Sequence, residues 1–191
     1  MMAYDKAWEY QTQIHQRLIQ QKRLDAQNFK QLHTLLLCEH PHVYTLGKSG
    51  KEEHLVIPED KLDTIQATFY RINRGGDITY HGPGQLVAYP ILDLEKLFTD
   101  VHQYVRFLEE AIIRVLREYN IEASRIDGLT GVWLDIDAPK PRKICAIGVH
   151  LSRWVSLHGL AFNVNSDLNY YNHIIPCGIS QTDKSVTSLQ V

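Results

Sequence analysis

A disulfide framework is the first thing this sequence lacks. Its three cysteines, Cys38, Cys145 and Cys177, are odd in number and irregular in spacing. They therefore read as free thiols of a reducing, cytoplasmic compartment rather than as a stapled secreted scaffold. An excess of one charge is also missing. With a formal net charge of −2, no global field draws the chain to nucleic acid or to an anionic membrane. No stretch approaches the roughly 20 apolar residues of a membrane span, and the start, Met1-Met-Ala-Tyr-Asp-Lys-Ala-Trp8, has no signal-peptide core. There is no G-x-x-x-x-G-K-[ST] phosphate loop, no internal repeat and no low-complexity tract. What is present is an ordinary globular composition, 44% hydrophobic and 22% charged over 191 residues. That is enough chain for one domain, residues 1–191, with a proper core.

The densest signal is Arg74-Gly-Gly-Asp-Ile-Thr-Tyr-His-Gly-Pro-Gly-Gln85, which holds four of the chain's 11 glycines. Thr68–Asn73 ahead of it and Leu86–Leu94 behind it read as strands, so the stretch is expected to be a loop held between them. Glycine permits positive φ and close approach of backbone to a ligand. Arg74, Thr79, Tyr80, His81 and Gln85 add a fixed charge, hydroxyls, an imidazole and an amide. The plainer reading is a pair of tight turns.

In chain order, residues 3–24 read as a helix carrying Tyr4, Ala7, Trp8, Ile14 and Leu18, with Gln11 breaking the apolar stripe. A strand is expected at His33–Cys38, then a turn at Pro41. His40 and His42 flank that proline without a third ligand nearby, so they read as loop residues and no metal site is expected. Residues 48–66 read as a surface connection with a short helix after Pro58. Asp100 reads as an N-cap, followed by the firmest helix of the chain, Val101 to Tyr119, with apolar residues at i, i+3, i+4 spacing. Strands are expected at Gly131–Ile136 and Lys143–His150, and at Arg153–Val164 after a hairpin turn at Leu151-Ser152. Residues 166–175 suggest one helical turn. The fold class is α/β, an α+β mixed sheet packed by two helices.

Among the thiols, Cys38 sits in a run of leucines and Cys145 inside a strand, where both read as packing residues. Cys177 lies between Pro176 and Gly178, in a sharp turn beside free backbone N–H groups, which suits a reactive thiol. An unperturbed cysteine, with a pKa of about 8.5, is mostly protonated at neutral pH and needs a base or cation. Candidate helpers are His81, His158, His173 and Lys143. Lys143 opens a strand after a proline turn, which places it at a strand edge. Regular alternation puts it on the face of Cys145, so Cys145 rivals Cys177 as its partner.

The stretch from Arg74 to Gln85 with Tyr89–Leu94, together with Lys143-Ile-Cys-Ala-Ile-Gly148, His158-Gly-Leu-Ala-Phe-Asn163 and Ile175-Pro-Cys-Gly-Ile179, resembles the signature of the octanoyltransferases (lipoyl(octanoyl) transferases, lipoate-protein ligase B). The motifs occur in the family's order across roughly residues 30–189. The resemblance implies the fold of the biotin/lipoate protein ligase catalytic domain. It also implies an activity, moving an octanoyl group from octanoyl-acyl carrier protein to a lysine of a lipoyl domain. The acceptors it implies are the 2-oxoacid dehydrogenase E2 subunits and the glycine cleavage H protein. The family's acyl-thioester cysteine falls on Cys177 and its partner lysine on Lys143. Its substrate-binding segments fall on Arg74, Gly75, Gly76, Asp77, Ile78, Thr79, Tyr80 and His81, on Ala146, Ile147 and Gly148, and on Gly159, Leu160 and Ala161. No cofactor is implied, and a monomer is expected. Two departures stand out: Cys145 occupies a place where members often have alanine, and members usually continue beyond Val191 into a closing helix.

On this reading Cys177 takes the acyl group and Lys143, or alternatively His81, takes the proton of the incoming amine. Gly75, Gly76, Gly148 and Gly159 are expected to leave room for the acyl chain. The rivals are an ATP-dependent lipoate or biotin ligase on the same fold and a non-catalytic lipoyl-domain binder.

Overall fold

A computed structural model describes residues 1–24, 33–176 and 183–190. The helix α1 runs over Tyr4–Leu24 and α2 over Val101–Glu118. The strands are β1 (Thr34–Cys38), β2 (Val43–Leu46), β3 (Thr68–Arg71), β4 (Ile78–His81), β5 (Gln85–Ile91), β6 (Ser124–Ile126), β7 (Leu129–Leu134), β8 (Arg142–Ser152), β9 (Val155–Asn163) and β10 (Ser185–Val186). Short 3-10 segments occupy Glu59–Ile65 and Leu168–His173, where helical turns are expected, and also Glu52–His54.

The large sheet is ordered β1-β5-β9-β8-β7-β6, all antiparallel, with β10 added parallel to the start of β8. Period-2 alternation buries both of its faces. Val87, Tyr89 and Ala161 point to α1, packing on Ala7. Ala88, Leu160 and Phe162 point the other way, into the core beneath Ile112, Ile113 and Leu116 of α2. The sheet is thus the middle layer between two helices, which is why its strands read as near-continuous apolar runs.

The α2 helix starts where expected: Asp100 Oδ1 accepts hydrogen bonds from His102 N at 2.8 Å and Gln103 N at 3.1 Å. Its apolar stripe is narrower than the spacing suggests, because Val101, Val115 and Tyr119 remain exposed. Glu109 is buried, accepting from Gly131 N at 3.0 Å and pairing with Arg106 and Arg125. In α1 the Gln11 that breaks the pattern lies inside the buried stripe, and its Oε1 accepts from His158 N at 3.3 Å.

Two expectations change. The stretch after Arg74 is not one loop between paired strands. Ile78–His81 is itself a strand, and β3-β2-β4 form a separate three-stranded sheet, so the chain passes here from the small sheet to the large one. The hairpin between β8 and β9 turns at Arg153-Trp154, because Ser152 pairs with Val155. Both turn residues have positive φ, 51° and 61°, as a two-residue type I′ turn requires. Lys143 opens a strand as expected, being the second residue of β8, and it is flanked there on both sides. It pairs with Trp133 on β7 and with Val186 on β10.

Candidate active site

Where the two sheets meet, the Arg74 segment lies against β8. Gly75 N donates to Val149 O at 2.9 Å. This close approach depends on Gly148, whose added Cβ would fall 2.9 Å from Gly75 O. The Arg74 guanidinium is buried and donates to Thr45 O at 2.6 Å and to Gly75 O at 3.0 Å. Asp77 accepts from Ile78 N at 2.7 Å and from His54 Nδ1. A fixed cation and a fixed carboxylate are thereby locked into the wall of the interface.

An outer chamber of about 390 Å³ opens between this wall, β8 and the first turns of α2. Lys143, Ala146 and Gly148 line it, as do Arg74, Asp77 and Pro176, the residue that precedes Cys177 in the sequence. An inner cavity of about 50 Å³ shares Arg74, Thr79, Ala146, Ile147 and Gly148 with the chamber and continues to Val87, Gly159, Leu160 and Ala161. The inner walls are buried and mainly apolar, as a slot for a hydrocarbon tail requires.

Lys143 approaches the chamber across an aromatic face, its Nζ lying 4.6 Å from the Trp133 ring centre. The register shifts between Val132 and Trp133, which pair with Cys145 and Lys143. This irregularity breaks the alternation on which a shared face for Lys143 and Cys145 rests. Cys145 is fully buried in the α2 core, and burial pushes its thiol well above the ordinary range. Burial likewise pushes the Cys38 thiol up to about 11. Cys177 and Gly178 lie outside the described residues.

Of the other residues named from sequence, Gly75, Gly76, Ile78 and Thr79 line the chamber, and His81 lines the inner cavity. Tyr80 lines neither. It is turned into the core of the small sheet, with its hydroxyl 2.8 Å from His42 Nδ1. His81 donates from Nδ1 to Gln85 Oε1 at 2.8 Å, and burial lowers its pKa to about 3, leaving a weak proton acceptor. His158 donates from Nε2 to Asn73 at 2.7 Å and is lowered to about 3 by burial. Gly75, Gly76 and Gly148 line the chamber, and Gly148 and Gly159 line the inner cavity. A Cβ on Gly159 would sit 2.1 Å from Ala88 O, so its missing side chain accommodates the neighbouring strand.

Sequence reasoning missed the α2 contribution, Val101, His102, Val105 and Arg106, which line the chamber. The only signal for it was a stripe too wide for the core. It also missed Tyr4 and Tyr89 at the inner cavity.

Residues 3–191 match the lipoyl protein ligase A/B catalytic domain. The chain is 57% identical to an octanoyltransferase of Cytophaga hutchinsonii over 196 residues, covering all of this chain and 80% of that protein. It is 56% identical to an octanoyltransferase of Flavobacterium psychrophilum, covering 98% of this chain and 82% of that one. Among solved structures, the bipartite lipoate protein ligase of Thermoplasma acidophilum shares the fold, with a TM-score of 0.66 at 19% identity, covering 90% of this chain and 63% of that one. Lipoate-protein ligase A bound with ATP superposes with a TM-score of 0.64 at 20% identity, covering 83% and 64%. The first two likenesses extend over the motif-bearing strands that build the chamber, and the last two over the layered sheet that carries them. The chain belongs to the octanoyltransferases, within the lipoyl protein ligase A/B catalytic-domain family.

Proposed function

We propose that octanoyl transfer by this protein runs through a thioester on Cys177, with Lys143 as its partner. The donor is octanoyl-acyl carrier protein. The acceptors are lysines of the lipoyl domains of 2-oxoacid dehydrogenase E2 subunits and of the glycine cleavage H protein, in the cytoplasm. The observation that carries this reading is that Lys143 and Pro176 line one chamber, and that the chamber shares a wall with a smaller, mainly apolar cavity. The chemistry of the other two thiols supports it by elimination, since both are pushed up by burial.

In the first step the Cys177 thiolate attacks the thioester carbonyl carbon. A new S–C bond forms, the donor's C–S bond breaks, and the departing thiolate takes the proton from the Lys143 ammonium. In the second step the acceptor amine attacks the acyl-enzyme. The amide C–N bond forms, Cys177 leaves as thiolate, and the amine's proton passes to the now neutral Lys143. Charge and protons return to the starting state. His81 is the poorer proton acceptor, because it is bonded to Gln85 within the inner cavity and held neutral by burial.

Exchange of one thioester for another is nearly neutral in free energy, and the amide is more stable than either, so no nucleotide is consumed. A transfer assay to a lipoyl-domain acceptor with and without ATP tests this. Transfer from octanoyl carrier without ATP is the expected result. A strict need for ATP would assign an acyl-adenylate route instead.

A further inference from the structure

The inner cavity has a stopper from a distant part of the chain. We propose that Tyr4, on the first turn of α1, is the residue that sets the acyl-chain length this enzyme accepts. This inference rests on the proposed acyl-enzyme at Cys177.

Away from the chamber, Tyr4, His81, Val87, Tyr89 and His158 line the cavity, and all are buried. At about 50 Å³ against about 390 Å³ for the chamber, it has room only for the tail of a chain whose thioester lies in the chamber. Tyr4 is fixed as an end wall rather than a movable flap. Its ring stacks on His81, with centres 5.8 Å apart and planes at 12°, and meets His40 edge-on at 5.2 Å. It also packs with Val43 and Ile72 of the small sheet region. The helix behind it is anchored by Ala7 against Val87, Tyr89 and Ala161. In the lining of the same cavity, His158 has an Nδ1 without a hydrogen-bond partner among the described residues. A hydrocarbon tail pressed against that nitrogen gains little, which reinforces the stop.

Removing the Tyr4 ring deepens the slot. Each further methylene that finds cover raises affinity about fourfold, equivalent to about 0.8 kcal/mol. Filling the slot does the reverse, and Ala161→Val adds bulk to the same cavity from β9.

The test compares octanoyl, dodecanoyl and hexanoyl thioesters of pantetheine as acyl donors to the full chain, read as the rate of acyl-enzyme formation by intact mass. For Tyr4→Ala the dodecanoyl-to-octanoyl ratio is expected to rise at least tenfold, while Tyr4→Phe keeps the wild-type ratio. For Ala161→Val the hexanoyl-to-octanoyl ratio is expected to rise. Ratios are insensitive to the fraction of protein folded. If Tyr4→Ala does not fold, Tyr4→Leu, whose side chain is shorter than the ring, takes its place and is expected to raise the same ratio. Unchanged ratios in Tyr4→Ala and Ala161→Val alongside an acylated wild type would overturn the stopper and leave the acyl-enzyme intact. A wild type that takes up no acyl group would overturn both.

Discussion

The ammonium of Lys143 rests 4.6 Å above the centre of the Trp133 ring. Trp133 is fully buried, so the cation that lines the outer chamber is seated on a rigid aromatic ring. The ring's negative face favours the charged form of the amine. A seated cation is what a neighbouring thiol needs if it is to ionise near neutral pH.

On the proposed pairing, replacing Lys143 by alanine is expected to raise the pKa of the Cys177 thiol. A shift of one to two units is expected, each unit corresponding to about 1.4 kcal/mol. The check is the pH dependence of alkylation at Cys177, followed by peptide mass. Cys38 and Cys145 serve as slow internal references, because burial raises both thiols. An unmoved profile would remove Lys143 from the role given to it.

The two glycines of the β8–β9 pair separate function from stability. In Gly148→Ala the new Cβ falls 2.9 Å from Gly75 O and 3.0 Å from Arg74 Cδ. The Arg74 segment must lift off β8, and acyl transfer should fall much more than stability. In Gly159→Ala the Cβ would sit 2.1 Å from Ala88 O, inside the central sheet, and overpacking there costs about 1–3 kcal/mol or more. Urea unfolding alongside transfer rates distinguishes the two outcomes.

Acid should unfold this protein early. His81 and His158 are both buried with pKa values lowered to about 3 from 6.5. Below about pH 6.5 the unfolded chain binds protons at these sites that the folded chain refuses. Their contribution is therefore fully present above that pH and is lost as pH falls from 6.5 toward 3. By pH 5 the loss is up to about 2 kcal/mol for each histidine. Urea midpoints at pH 7 and pH 5 measure it, and His158→Asn should flatten the dependence.

The start of α2 carries both a cap and part of the chamber. Asp100→Ala removes the acceptor for His102 N and Gln103 N, at a cost of about 1 kcal/mol. Because Val101, His102 and Arg106 line the chamber, the variant should also lose octanoyl transfer beyond what the stability change explains. Thermal unfolding and transfer rates on one preparation compare the two effects.

How far the sequence could be read depended on whether a signal was local. α2 was legible because Asp100 caps it and its apolar residues repeat at helical spacing. The β8–β9 pair was legible because two apolar runs lie side by side in the chain. By contrast β2, Val43–Leu46, is buried at every residue, so it has no alternation to reveal it. The turn at Arg153-Trp154 was missed because neither residue is the glycine or asparagine that usually accepts positive φ. That Lys143 opens a strand was legible, but its pairing with Val186 of β10 was not, because that partner lies far along the chain. The register shift opposite Lys143 and Cys145 is an irregularity that period-2 reasoning cannot foresee. The motifs named most of the chamber wall in advance, but Tyr4 came only from the fold. The surroundings of Cys177 lie outside the described residues.

The most direct test is to incubate the protein with octanoyl-acyl carrier protein, without acceptor, and to locate any added mass by peptide mapping. One octanoyl group on Cys177, absent from Cys177→Ser and discharged by a lipoyl-domain lysine, is the predicted result. An octanoyl group on Cys145, or transfer to the acceptor by a Cys177→Ser protein at the wild-type rate, would contradict it.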